Sequence, residues 1–132
     1  MPNDGGKPPS QAKPRYSLAT IRPKFKDAIL VKSTAVMCVT NDLAVSEGEA
    51  RTFIRKNLEL LTEAQFVETV SMQQTGYQAD VYGCTDADGD HWYVKLYADP
   101  TTGSVVVVSF HEPDHDLKCA DGSRLKGAGR RR

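Results

Sequence analysis

YQADVYGC (77–84), HWYVKLY (91–97) and SVVVVSF (104–110) are three short runs rich in Val and aromatic residues, separated by TDADGD and ADPTTG. β-Branched and aromatic residues favour a pleated chain, and the intervening Asp, Gly, Pro and Thr favour turns, so the stretch predicts an antiparallel meander. Side chains alternate between faces in a strand, which puts Trp92, Val94 and Leu96 on one side of the middle run and Tyr93, Lys95 and Tyr97 on the other. The first is a core face, and the second is polar and aromatic. SVVVVSF does not alternate until its end, as suits a central strand covered on both faces; Ser109 and His111 then share a side. If the three polar faces coincide, one surface displays Gln78, Asp80 and Tyr82 beside Tyr93, Lys95 and Tyr97, followed by Ser109 and His111.

Upstream of the meander the period changes to that of helices. Leu18, Ile21, Phe25, Ala28 and Ile29 fall at helical spacing after Ser17, a possible N-cap, although Pro23 kinks or delays this helix. A second helix is expected from Ser33 to about Ala44, capped by Ser33 and packed through Val36, Val39 and Leu43. A third opens with a Ser46/Glu49 capping box and buries Ala50, Phe53, Ile54, Leu58 and Leu61. Thr62 and Gln65 offer a further capping box, opening EAQFVETV as helical turns or an entering strand. Helices followed by a meander imply an α+β fold with N-terminal helices laid on a small antiparallel sheet.

With 132 residues the chain is one domain by size. Its formal charge of zero conceals a split. Three of the 17 basic residues lie in 1–15 and six in 118–132, with one acidic residue in each; residues 16–117 keep 8 basic and 15 acidic residues, about −7. The Pro/Gly-rich residues 1–15 read as a disordered lead-in, 16–117 as the domain and 118–132 as a basic flexible tail. Three cysteines without close spacing suggest neither a disulfide framework nor a zinc knuckle, and point to reduced thiols in the cytoplasm. No apolar run reaches membrane-spanning length, so no membrane association is expected.

Two motifs point elsewhere and fail on their context. His111-Glu112-Pro113-Asp114-His115 matches H-E-x-x-H, but that zinc geometry needs a helix, and here Pro113 interrupts a segment that follows a strand. Asp86-Ala87-Asp88-Gly89-Asp90 resembles a calcium loop, yet its Gly is at the fourth position rather than the sixth, and a hairpin turn explains it better. No metal or small-molecule cofactor is expected.

The polar sheet face remains. His111 exchanges a proton near neutrality, Lys95 can hold a phosphate, Tyr93 can donate to phosphate or stack on a base, and Glu68 is a general base if the fold brings it across. Gln78 and Tyr97 on the same face, with Arg55 and Lys56 on the third helix, are candidate RNA contacts. RNA cleavage by its own 2′-OH needs only a base, an acid and a cation. The alternatives are a solvated face on which Asp80 is the cross-strand charge partner of Lys95, and a solvated helix face at Arg55 and Lys56.

In order and spacing, several short stretches of 16–111 resemble the MqsR family of bacterial toxins, small RelE-like endoribonucleases that a cognate antitoxin neutralises. YSLATIRPKF is similar to the family's opening helix, STAVMCVTNDLAVSEGEA to its second helix and turn, and LTEAQFVETV to its stretch ending in Asp-Phe-Tyr-Lys-Ser. ADVY resembles the close of Trp-Gln-Asp-Val-Tyr, YVKLY the Tyr-x-Lys strand, and VVVVSFHE the last strand ending in Ser-Phe-Lys. The resemblance implies a RelE-like fold, metal-independent cleavage of mRNA, an antitoxin protein as partner and catalytic roles for Tyr93 and Lys95. Two family lysines fall on Glu68 and His111, and the family Gln falls on Ala79, next to Gln78. The substitutions leave two readings open: the acid-base pair has become Glu68/His111, or the chain is a catalytically degenerate binding protein acting through protein partners.

Overall fold

The computed structural model describes residues 13–127. Most of the lead-in expected over 1–15 therefore lies outside the described residues, as do residues 128–132. The fold is α+β: three helices cover one face of a five-stranded mixed sheet, and a two-stranded hairpin follows. The sheet comprises β1 (Ile29–Val31), β2 (Phe66–Ser71), β3 (Gln78–Thr85), β4 (His91–Ala98) and β5 (Val105–His111), in the order β1-β5-β4-β3-β2. The meander β3 to β5 is antiparallel as expected and β2 extends it, but β1 pairs in parallel with β5, so the sheet is not purely antiparallel.

β1 also corrects the first helix. Only α1 (Leu18–Ile21) is α-helical, a 3-10 turn follows over Arg22–Phe25, and Ile29 lies in the strand. Pro23 cannot donate in a continuing helix, and β1 gains backbone partners on β5, where Val105 N donates to Ala28 O and Lys32 N to Val107 O. The Arg22 guanidinium is well placed from this turn, donating to the carbonyls of Glu59 (2.5 Å) and Leu61 (2.6 Å) and thereby capping the end of α3 (Glu47–Glu59).

α2 (Ser33–Leu43) begins at Ser33 itself; Lys32 is its N-cap, so the expected Ser33 cap does not form. α3 carries the complete Ser46/Glu49 capping box, and EAQFVETV resolves into a 3-10 turn (Glu63–Gln65) followed by β2. The helical stripes Val36/Val39 and Ala50/Ile54/Leu58 pack on Trp92, Val94, Leu96, Val105, Val107 and Phe110. Phe53 sits edge-on to Trp92 and Phe110, with centroids 5.4 and 6.0 Å apart. Asp86 organises the β3–β4 turn: Oδ1 accepts from Asp88 N and Asp90 N, and Oδ2 accepts from Trp92 Nε1 at 2.8 Å. The acidic run is a hairpin hub, as its composition suggested.

Residues 118–127, read from composition as a flexible tail, instead complete an ordered hairpin. β6 (Leu117–Lys118) pairs with β7 (Arg124–Leu125), and Leu117 and Cys119 are buried. Ala120 N donates to Phe66 O and Asp121 N to Ala64 O, which fixes the hairpin against the start of β2. Gly83 accommodates it on the sheet face away from the helices: a Cβ there would stand 2.8 Å from Leu125 Cδ1 and 3.2 Å from Leu117 Cδ1. Among the described residues, no helix is long and apolar enough to cross a membrane.

Candidate active site

Two β-bulges create the site. β2 faces β3 with Phe66 opposite Tyr82 and Glu68 opposite Val81, so Val67 is an extra residue that turns Glu68 away from the helices. On β5, Ser109 pairs with Lys95 but Val107 with Leu96, so Val108 is extra there. Phe110 thus remains in the core while Ser109 and His111 reach the open face. The unbroken valine run is the trace this bulge leaves in the sequence, because a bulge suspends alternation.

One cross-strand row now reads Glu68, Val81, Lys95, Ser109, and the next reads Gly83, Tyr93, His111. Glu68, Tyr93, Lys95, Ser109 and His111 line a cavity of about 410 Å³ whose outer wall is Asp114–Leu117 from the loop entering the hairpin. That size lies within the range of roughly 300–1,000 Å³ typical of small-ligand clefts. With strands about 4.8 Å apart, the backbones of Glu68 and Lys95 stand roughly 10 Å apart across buried Val81. Among the described residues no ion pair reaches Lys95, which is also the only Lys or Arg between Lys56 and Lys118.

The Tyr93 and His111 rings are stacked, with centroids 4.8 Å apart. His111 Nδ1 lies 2.8 Å from the Glu112 carbonyl oxygen. A carbonyl only accepts, so Nδ1 carries a proton and Nε2 is the nitrogen left to gain or lose one. Burial, reinforced by the negative charge of Glu68, pushes the Tyr93 phenol above its ordinary value and keeps it a donor at neutral pH. Asp116 is engaged in the wall, accepting from Gly127 N at 2.9 Å and facing Arg124 at 4.0 Å. Among the described residues, no group of three or more His, Cys, Asp or Glu side chains is arranged to hold a metal ion.

The structure therefore brings Glu68, Tyr93, Lys95, Ser109 and His111 together and adds His115. In the sequence His115 stands out only through the H-E-x-x-H pattern; the short loop after β5 is what returns it to the cavity. The other four expected contacts lie elsewhere. β3 meets β4 with Asp80 opposite Leu96 and Tyr82 opposite Val94, so Gln78, Asp80 and Tyr82 have the parity of the helix face rather than that of Tyr93 and Lys95. Gln78 is exposed at the strand's start, where its carbonyl accepts from Tyr16 Oη.

Asp80 is no partner of Lys95. It is fully buried and accepts from Arg15 N, Tyr16 N and Thr69 Oγ1 at 2.7–2.9 Å, anchoring the incoming chain. Tyr97 is on the open face but packed into a second apolar cluster with Ala79 and Val106, 6% exposed and 5.3 Å from the Tyr77 ring. Arg55 and Lys56 are exposed on α3, across the sheet from the cavity; Lys56 borders a separate groove with Phe53, Leu60 and Ala87.

No family model, curated protein or solved structure matches the chain.

Proposed function

We propose that the chain is an MqsR-like, RelE-like toxin of a bacterial toxin-antitoxin pair, a cytoplasmic endoribonuclease that cleaves mRNA without a metal and is restrained by an antitoxin protein. The observation that carries this reading is the convergence of a carboxylate, a lysine, a phenol and an imidazole on one cavity, after two bulges turn Glu68 and His111 to the same side. Glu68 takes the proton of the 2′-hydroxyl, the 2′-oxygen bonds to phosphorus, the bond from phosphorus to the 5′-oxygen breaks, and protonated His111 gives its Nε2 proton to that oxygen. Lys95, between them and engaged in no ion pair among the described residues, stabilises the charge on the phosphorane, while Tyr93 donates to a phosphate oxygen and holds the imidazole plane.

The test is purified protein incubated with RNA in EDTA. Products ending in a 2′,3′-cyclic phosphate, formed at a rate that follows a bell in pH, are expected. Robust cleavage by the Glu68→Ala/His111→Ala double variant would sink the assignment of base and acid. Expression of the chain alone should arrest bacterial growth, with relief by a neighbouring gene.

One observation favours a second reading, a degenerate member that works through protein partners. Residues 16–117 carry 15 acidic residues against 8 basic ones, about −7, which opposes the approach of a polyanion. Intact RNA after prolonged incubation with folded protein would select this reading.

A further inference from the structure

We propose that the outer face of the C-terminal hairpin is the track that receives the phosphodiester backbone of single-stranded RNA leading into the cavity, an inference that rests on the ribonuclease reading above. Lys118 and Arg124 are directly opposite each other in the hairpin, and both are exposed. Like charges at opposed positions, with side chains about 5 Å apart, oppose pairing. The Arg124–Asp116 contact offsets little of this, being 4.0 Å long with the Arg124 side chain 62% exposed. A pair of cations held together with so weak an offset is what a polyanion neutralises.

Two further facts select the hairpin over other surfaces. The body from 16 to 117 carries about −7, whereas the described residues 118–127 hold Lys118, Arg124 and Lys126 against Asp121, so a nucleic acid repelled elsewhere is attracted here. The hairpin is also continuous with the cavity. Leu117 lines the cavity and packs near Gly83, while the next residue, Lys118, turns outward. Backbone bonds from Ala120 and Asp121 to Phe66 and Ala64 hold the track fixed relative to β2, which carries Glu68. A strand lying on Lys118, Arg124 and exposed Lys126 therefore has its next nucleotides at the cavity mouth.

The test separates binding from chemistry. Fluorescence anisotropy with a labelled 2′-O-methyl oligoribonucleotide, which lacks the attacking hydroxyl, reports affinity at several KCl concentrations. The full chain should bind with a salt dependence that the Lys118→Ala/Arg124→Ala variant reduces by about 1.4 in the slope of log K against log salt, roughly 0.7 for each phosphate no longer neutralised. Affinity at low salt should fall about tenfold, the Lys118→Arg/Arg124→Lys variant should retain both properties, and cleavage of a dinucleotide should be unchanged in all of them. An unaltered slope and affinity in the folded alanine variant would overturn the track. So would tighter binding of a polyglutamate peptide than of the oligonucleotide at equal salt, which would assign the surface to an acidic protein. Failure of dinucleotide cleavage with the binding results intact would instead count against the catalytic reading alone.

Discussion

Tyr93 and His111 face each other across β4 and β5 with their rings 16° from parallel and centroids 4.8 Å apart. The stack restrains the imidazole from one side and the Glu112 carbonyl holds its Nδ1 from another, so Nε2 has a fixed position. On the ribonuclease reading, His111→Ala should lower the cleavage step by about 10²–10⁴-fold with the fold intact. Tyr93→Phe keeps the stack and removes only the phenol, whereas Tyr93→Ala removes both. Single-turnover rates should therefore fall further for Ala than for Phe, and equal losses would show that the stack has no role.

Deleting Val108 tests the bulge on β5. The deletion makes Val107 and Ser109 consecutive, so a regular ladder keeps Ser109, Phe110 and His111 opposite Lys95, Val94 and Tyr93, and Phe110 against Phe53 and Trp92. Urea denaturation should therefore show a folded chain, at most moderately destabilised, within about 3 kcal/mol of the parent. An unfolded chain would mean that the packing needs the bend the bulge puts into β5 and not the register alone.

Asp86→Ala should destabilise the protein by about 2–4 kcal/mol, because one carboxylate satisfies two turn amides and the buried indole N–H. Trp92 fluorescence is the direct readout, since the ring loses its polar anchor while keeping Phe53 and Phe110. An unchanged emission maximum and melting temperature would contradict the hub.

Gly83→Ala places a methyl group against Leu125 and Leu117 and should lift the hairpin from the sheet, at a cost of about 1–3 kcal/mol. Trypsin should then cut after Lys118 or Arg124 faster than in the parent chain, while the sheet resists.

The Cys84 thiol is pushed from its ordinary 9.0 up to about 12 by burial, with Asp86 adding to the shift. Because the folded value is the higher one, this stabilisation is complete below pH 9 and declines as pH rises toward 12. In that window the thiol's share of the decline approaches about 1.4 kcal/mol per pH unit. Cys84→Ala should flatten the dependence of unfolding free energy on pH there; an equally steep curve would assign the alkaline instability to other groups.

The meander was legible because Trp92, Val94 and Leu96 alternate with Tyr93, Lys95 and Tyr97 over a whole strand, and burial follows that order up to Tyr97, which packs into its own cluster. Relative facing between strands was not legible. A shift of one residue inverts a strand, and nothing in QADVYGCT states which parity meets β4, so the expected grouping of Gln78 with Tyr93 and Lys95 does not hold. Glu68 reached the site for a reason the sequence conceals, an extra residue at Val67. β1 was hidden because Ile29, its first residue, continues a helical spacing, and its partner lies far along the chain. The hairpin did leave a signal: Leu117, Cys119 and Leu125 alternate with Lys118 and Arg124 around an Asp-Gly-Ser turn, a pattern outweighed by the low apolar content around it.

The parallel pairing of β1 with β5 sets an order of events during synthesis. Ile29 must wait for Val105, and at about 5–20 residues per second the ribosome needs roughly 4–15 s to make the chain between them. Until then the inner edge of β1 has no partner and the helical stripes of α2 and α3 lack the part of the sheet that β5 supplies, while β2 to β4 can pair locally as each turn emerges. The cavity is later still, because its wall and hairpin follow β5. A nascent chain therefore remains without its assembled site until nearly all of the described residues have been made, and any protein that captures β1 or the uncovered helices before that point prevents the site from forming.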